Sequence, residues 1–97
     1  MRNIRFAWDP KKNRLNQKKH DISFEEAQTV FSDENARLIP DPDHSENEDR
    51  FILLGLSNRL RMLMVAHCYR ENEEAIRIIS ARKATRREKE QYNGGLL

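Results

Sequence analysis

Three apolar runs with strand character dominate the second half of this 97-residue chain and limit its possible folds. They cover residues 50–56, 60–69 and 75–81, and the short segments between them contain Ser57-Asn58 and Glu71-Asn72-Glu73. Turns this short can join antiparallel strands, whereas parallel strands need a long crossover. The sequence therefore predicts an antiparallel meander.

The first half of the chain supplies elements that can cover such a sheet. Asp9 followed by Pro10 is typical of a helix start, and Ser23 with Glu26 has the spacing of a capping box. Thr85 and Glu88 repeat that spacing after the meander. The predicted elements are a strand at 4–8, helices at 10–19 and 24–33, a strand at 36–39 and a helix that begins after Thr85.

This order, β-α-α-β-β-β-β-α, predicts an α+β domain with an antiparallel meander. Two N-terminal helices would pack on one face of the sheet, and a third helix would follow the last strand. Residues 1–97 are interpreted as a single domain. The acid-rich stretch 41–49 has no large apolar residue and is expected to be an exposed loop.

Charge is unevenly distributed along the chain. Residues 1–20 carry seven Lys/Arg and one Asp, residues 21–50 carry ten Asp/Glu and two Arg, and residues 51–97 carry nine Lys/Arg and five Glu. This segregation can create a basic face, although a surface of mutually paired charges is an equal alternative. The lone Cys68 and the lack of a long apolar run favour a cytoplasmic protein with no disulfide.

Period-2 alternation sorts the side chains of the long strand. The side with Met62, Met64 and Cys68 is the better core candidate, which leaves Arg61, His67 and Tyr69 on the more polar side. In the last strand, regular alternation puts Arg77 opposite to Ser80 and Arg82. The register between the two strands is left open, and it decides which of these groups faces a ligand.

The residues around the last strand suit cleavage of RNA without a metal ion. Such a reaction takes a proton from a 2′-hydroxyl, stabilises a charged phosphorane and protonates the leaving 5′-oxygen. Arginines bind phosphate through paired hydrogen bonds, and histidine, glutamate or tyrosine can move protons. Residues of these types are His20, Glu48, Arg50, His67, Arg77, Arg82 and Tyr92.

A basic cluster of Arg82, Lys83, Arg86 and Arg87 joins the last strand to the last helix. Cations in the first turn of a helix oppose its dipole by about 0.3–1 kcal/mol each, which favours an anionic partner. A solvated basic surface is the alternative. The acids at 41–49 lack the glycine of an EF-hand loop, and CxxC, HExxH, P-loop and GxGxxG motifs are missing, so no metal or cofactor is expected.

A spaced set of motifs extends across nearly the whole chain: Phe6-Ala7-Trp8-Asp9-Pro10-Lys11-Lys12-Asn13, Lys19-His20-Asp21-Ile22-Ser23-Phe24-Glu25-Glu26-Ala27, Val30-Phe31-Ser32-Asp33, Glu48-Asp49-Arg50, Gly55, Val65-Ala66-His67 and Ile76 to Thr85, with Asn16, Glu88 and Tyr92. This set resembles the BrnT family of bacterial type II toxins. Asp21 stands where family members usually have Gly, and Asp tolerates the left-handed backbone of such a helix end.

The resemblance implies a RelE-like fold and an endoribonuclease that arrests growth. It also implies a BrnA-like ribbon-helix-helix antitoxin, a heterotetramer of two toxins and two antitoxins, and operator DNA bound only through the antitoxin. An alternative is a catalytically inactive antitoxin-binding module that acts in operon autoregulation. The catalytic candidates are His67, Arg77, Arg82, Arg50, His20 and Ser80, and the RNA-binding candidates are Lys19, Arg61, Lys83, Arg86, Arg87 and Tyr92.

Overall fold

The computed structural model describes residues 4–41, 50–70, 72 and 74–94. Within these residues the chain forms a five-stranded sheet and three α-helices, in the element order that the sequence predicts. The elements are β1 (Arg5–Ala7), α1 (Pro10–His20), α2 (Phe24–Thr29) with a 3-10 turn at Val30–Ser32, β2 (Arg37–Pro40), β3 (Arg50–Leu56), β4 (Met62–Arg70), β5 (Ala75–Lys83) and α3 (Arg86–Tyr92).

The strands lie in the order β1-β5-β4-β3-β2. Strands β2 to β5 are antiparallel neighbours and form the predicted meander. The short strand β1 pairs in parallel with the start of β5, from Ala75 to Arg77. Beyond Arg77, therefore, the outer edge of β5 extends past β1, and α1 lies beside this part of the edge.

The residues predicted to cap the helices do so. The Asp9 side chain accepts a hydrogen bond from the Lys11 backbone N–H at 2.8 Å, and Asp21 ends α1 with φ 62°. Ser23 accepts from the Glu26 N–H at 3.0 Å, but the Glu26 carboxylate binds Arg61 instead of completing a capping box. In the described part of the chain, no helix is long and apolar enough to span a bilayer.

The main core lies on one side of the sheet, under α2. Phe24, Ala27 and Val30 pack there against inward-facing side chains of three strands. Those strand residues are Leu53, Leu63, Val65, Ile78 and Ala81. The prediction that the Met62–Cys68 side would form the core is therefore wrong, because α2 docks on the branched Leu63 and Val65 instead.

The opposite side of the sheet holds a smaller apolar cluster. Leu54, Met64 and Ala84 are buried there, and Tyr92 of α3 packs against them. Since α3 covers only part of this side, we call it the open face and the side under α2 the closed face.

Two connections differ from the sequence-based expectation. The β3–β4 hairpin turn spans residues 57–61, not two residues, because the Ser57 N–H donates to the Arg61 carbonyl at 2.9 Å. Asp41 was predicted to lie in an exposed loop, but it is 6% exposed, and its N–H donates to the Arg50 carbonyl at 3.1 Å. The rest of that predicted loop, 42–49 with Glu48, lies outside the described residues.

Candidate functional site

A β-bulge in the pairing of β4 with β5 arranges the side chains of the open face. Ala66 pairs with Ser80 and His67 pairs with Ile78, so Ile79 is an extra residue with no partner on β4. An extra residue shifts the alternation of the strand by one, so that side chains before and after it change their relative sides.

The shift brings Arg77 and the pair Ser80 and Arg82 to the same face. Cross-strand partners point to the same side of a sheet. The partners of Arg77, Ser80 and Arg82 are Cys68, Ala66 and Met64, which alternate regularly along β4 on the open face. Arg50 also pairs with Cys68, from the other side of β4. Regular alternation would put Arg77 on the opposite face from Ser80 and Arg82, whereas the bulge puts all three on the same face.

Helix α1 brings a histidine to the edge of this face. The Asn16 side-chain amide donates to the Ala81 carbonyl at 2.9 Å, and its oxygen accepts from the Ala81 N–H at 3.1 Å. Asn16 thus pairs with β5 as a neighbouring strand would, at the edge that β1 leaves uncovered. This contact fixes the end of α1, and His20 lies half-buried one turn later.

A pocket of about 190 Å³ lies at this corner of the open face. It collects three predicted catalytic residues, His20, Ser80 and Arg82, together with Asp41. The other described residues that line it are apolar and come from the sheet: Ile52, Met64, Ala66 and Ala81. A histidine, a hydroxyl, a guanidinium and a carboxylate at one pocket are groups that can bind a phosphate and move protons.

The guanidinium of Arg82 is held in place by α3. Arg82 Nη1 donates to Glu88 Oε1 at 2.8 Å and Nη2 donates to Oε2 at 2.9 Å. These hydrogen bonds lower the pKa of Glu88 to about 2. Glu88 Oε1 also accepts from the Thr85 N–H at 2.8 Å and so completes a capping box for α3. Arg82 is fixed in orientation while its side chain remains 41% exposed.

Comparison with known proteins places these features in a family. A family model described as the ribonuclease toxin BrnT of a type II toxin-antitoxin system matches residues 8–88. The chain belongs to the BrnT family. The crystal structure of the Brucella abortus ribonuclease toxin BrnT superimposes with a TM-score of 0.67 at 25% sequence identity, over 86% of this chain and 99% of that one. A search of curated protein sequences finds no match.

His67, a catalytic candidate from the resemblance to BrnT toxins, lies in the core on the closed face. Its side chain is fully buried and contacts the rings of Phe31, Phe51 and Tyr69. Nδ1 lies 3.0 Å from the Val65 carbonyl oxygen, and burial lowers the pKa of His67. The expectation that His67 lies on a polar face is therefore wrong, and the ring has no access to a substrate in this conformation.

Arg61, expected to bind RNA, is bound instead to the buried carboxylate of Glu26. Arg61 Nε donates to Glu26 Oε2 at 2.9 Å, Nη2 donates to Oε1, and the Ser57 hydroxyl donates to Oε2 at 2.7 Å. The hydrogen bonds from Arg61 lower the pKa of Glu26 although burial opposes them. Within the structure Arg61 serves to neutralise a carboxylate that is 5% exposed.

Tyr92, also an RNA-binding candidate, anchors α3 to the sheet. Its hydroxyl donates to Asp33 Oδ2 at 2.8 Å, and this hydrogen bond raises the pKa of Tyr92. The same Asp33 oxygen accepts from the Leu56 N–H of β3 at 2.8 Å. The remaining RNA-binding candidates are exposed cations at the ends of α1 and β5 and at the start of α3: Lys19, Lys83, Arg86 and Arg87.

Asp41 is the pocket residue that the sequence analysis missed. The acid-rich composition after Pro40 indicated a loop, whereas the ladder between β2 and β3 continues through Asp41 to Arg50. Extending the period-2 pattern one residue beyond Pro40 would have placed Asp41 on the same side as Ile39 and hence on the open face. In the described residues, no group of three His, Cys, Asp or Glu side chains is placed to hold a metal ion.

Proposed function

We propose that this chain is the toxin of a type II toxin-antitoxin pair and an endoribonuclease that cleaves RNA without a metal ion, thereby arresting translation and growth. The observation that carries the proposal is the bulge at Ile79, because it puts Arg77, Ser80 and Arg82 on one face beside a pocket that contains His20. Membership of a family of ribonuclease toxins supports the same reaction class.

In the proposed mechanism, arginines of the open face bind the scissile phosphate and stabilise the phosphorane. Arg77 is the main phosphate ligand, since its side chain forms no hydrogen bond or salt bridge with a described residue. Arg82 has already used three N–H groups, on Glu88 and on the Lys83 carbonyl, which leaves two of the five that a guanidinium offers. Arg50 extends the cationic row across β4.

His20 is the proposed proton carrier, and Asp41 and Ser80 complete its surroundings in the pocket. Imidazole can take a proton from the 2′-hydroxyl or deliver one to the 5′-oxygen near neutral pH. Attack by the 2′-oxygen on phosphorus breaks the bond to the 5′-oxygen and leaves a 2′,3′-cyclic phosphate. Cationic side chains replace the charge neutralisation that a metal ion provides in other nucleases.

The test is cleavage of an end-labelled single-stranded RNA by the purified chain in EDTA. We expect cyclic-phosphate products, no cleavage of the all-deoxy analogue, and a rate about a hundredfold lower for Arg77→Ala. The matched control is Arg14→Ala, an exposed arginine of α1, which should cleave within twofold of the parent. Both variants should unfold at the parent's temperature, because neither arginine is bound to another described residue.

The outcomes separate the parts of the proposal. Cleavage that requires added Mg²⁺ would overturn metal independence alone. Failure to cleave RNA, together with normal growth of cells that express the chain, would favour the alternative of an inactive module that binds its antitoxin and tunes operon repression.

We further propose that the partner is a BrnA-like ribbon-helix-helix protein, that two copies of each chain form a heterotetramer, and that operator DNA contacts only the antitoxin. A type II toxin implies a protein antitoxin. Light scattering on the co-purified complex gives the stoichiometry. Crosslinking to operator DNA should label the antitoxin and leave this chain unlabelled.

A further inference from the structure

Leu60, in the turn between β3 and β4, occupies a position that is unfavourable for a leucine in two ways. Its backbone is in the left-handed region, with φ 61°, and its side chain is 78% exposed. The turn between β4 and β5 meets the same left-handed requirement with Asn72, at φ 56°, and Asn is among the residues that adopt this conformation most easily. Leu60 therefore contributes nothing evident to the fold and is available for a contact outside the chain.

Leu60 forms one wall of a groove of about 420 Å³ between the hairpin and α3. The groove combines aliphatic side chains with cations: Leu56, Leu60, Met62, Arg61, Lys83 and Lys89. Among the residues that the structure describes, no acid lines it, and the charge of Arg61 is already matched by Glu26. Lys83 and Lys89 form no side-chain salt bridge with a described residue, so the groove presents two uncompensated positive charges.

The composition of the groove selects among possible occupants. Single-stranded RNA binds to basic grooves by stacking on aromatic rings, and the walls here are leucine and methionine instead. A second copy of this chain related by a two-fold axis would bring Lys83 and Lys89 close to the same lysines of its partner. A peptide with leucine-like side chains on one side and carboxylates on the other complements both the aliphatic and the cationic groups.

The groove is continuous with the proposed catalytic pocket. Met62 of the groove and Met64 of the pocket are alternate residues of β4 on the open face, so the two sites adjoin on the same side of the sheet. A segment that fills the groove and continues along β4 would cover the guanidinium of Arg82. Occupation of the groove therefore offers a way to block the RNA-binding face.

We propose that this groove binds an acidic, leucine-bearing amphipathic segment of the antitoxin, with Leu60 as the apolar anchor and Lys83 and Lys89 as the cationic clamp. The proposal rests on the proposed toxin function, which supplies an antitoxin. It assigns a role to Leu60, a residue that neither the fold nor the catalytic site uses.

Leu60→Asn tests the proposal with little risk of misfolding, because Asn adopts the left-handed backbone more easily than Leu. The probes are a BrnA-like ribbon-helix-helix antitoxin, the proposed partner, and a labelled helical peptide with leucines on one side and glutamates on the other. We expect Leu60→Asn to weaken both complexes at least tenfold. The matched control, Leu15→Asn, removes a leucine that is 55% exposed on α1, and its affinity should stay within twofold of the parent.

A second test reverses one positive charge of the groove with Lys89→Glu, and Lys12→Glu on α1 is its control. Lys89→Glu should weaken binding of the acidic peptide at least fivefold, while a version of the peptide with lysines in place of glutamates should bind weakly to every form. RNA cleavage by Leu60→Asn should match that of the parent, so an inactive parent would count against the proposed function and leave the binding comparison intact.

Equal affinity of Leu60→Asn and Leu15→Asn for the antitoxin would overturn the proposal. So would an effect of Lys89→Glu on binding of a labelled RNA oligonucleotide and not of the peptide, since the groove would then be part of the RNA path. A parent chain that dimerises through the groove, with Leu60→Asn monomeric, would show that a second copy is the occupant instead.

Discussion

The two faces of the sheet differ in how many of their polar side chains are bound within the chain. On the closed face Arg61 is bound to the buried Glu26, and His67 is sealed among aromatic rings. On the open face Ser80 is exposed, and Arg77 has no hydrogen-bonding partner among the described residues. Polar groups that are satisfied within the chain support the fold, whereas groups left unsatisfied on a rigid sheet are available for a ligand.

The largest effect is expected when the buried carboxylate of the closed face is removed. Glu26→Ala removes the buried counter-ion of Arg61, whose side chain is 21% exposed, and leaves the Ser57 hydroxyl without its acceptor. The exposed carboxylate of Asp21, 3.5 Å from Arg61 Nη1, remains as the ionic partner of Arg61. We expect the free energy of unfolding to fall by about 3 kcal/mol, measured by chemical denaturation.

The control for that experiment is Glu90→Ala, which removes an exposed carboxylate of α3 and should change the free energy of unfolding by less than about 0.5 kcal/mol. A loss for Glu26→Ala no larger than that of the control would mean that the pairing on the closed face adds nothing to stability.

A smaller effect is expected on the open face from Glu88→Gln, which weakens the tether of Arg82 and the cap of α3. At pH 7 the free energy of unfolding should fall by about 1 kcal/mol. The carboxyl pKa is about 2 in the folded chain and about 4.5 without its partners, so the folded state favours the ionised form. The contribution of the Glu88 carboxylate to stability is present above pH 4.5 and declines as the pH falls toward 2.

Denaturation of both forms at a series of pH values measures this decline. The stability difference between the parent and Glu88→Gln should narrow over that interval. A difference that stays constant from pH 7 to pH 2 would contradict a role for the Glu88 charge.

His67 gives a more modest effect in a different pH interval. Burial lowers its pKa in the folded chain below the value of about 6.5 expected for the unfolded chain. The unfolded chain therefore takes up a proton first as the pH falls below about 6.5, and the parent loses stability there. His67→Phe should lack this loss, while His20→Gln should retain it. An identical pH profile for the parent and His67→Phe would show that the ring does not resist protonation.

The order of the elements could be predicted from the sequence because its signals are local. Asp9, Ser23 and Thr85 begin helices at the predicted residues, and short polar segments separate the strands of the meander. The choice of the closed face could not be predicted in the same way. Met64 and Val65 are adjacent and both apolar, and only the docking of α2, a contact between distant parts of the chain, decides which of them lies in the main core.

The residue types of the candidate site were predictable, whereas their grouping was not. His20, Ser80 and Arg82 line one pocket. The sequence does not indicate that Ile79 is the extra residue of a bulge, because isoleucine is also common in regular strands. His67 was misplaced for the opposite reason: histidine is polar by type, and ring contacts that no local pattern reveals enclose it in the core.

The extra residue at Ile79 also bears on how chain length can vary in this protein. Deletion of Ile79 would leave Ile78 opposite His67 and Ser80 opposite Ala66, so that all the remaining side chains of β5 would stay on their present faces. Deletion of a residue elsewhere in a regular strand reverses the sides of all that follow it. At this point, therefore, the strand can lose one residue without changing which side chains lie on each face of the sheet. A relative one residue shorter here could carry the same row of cations.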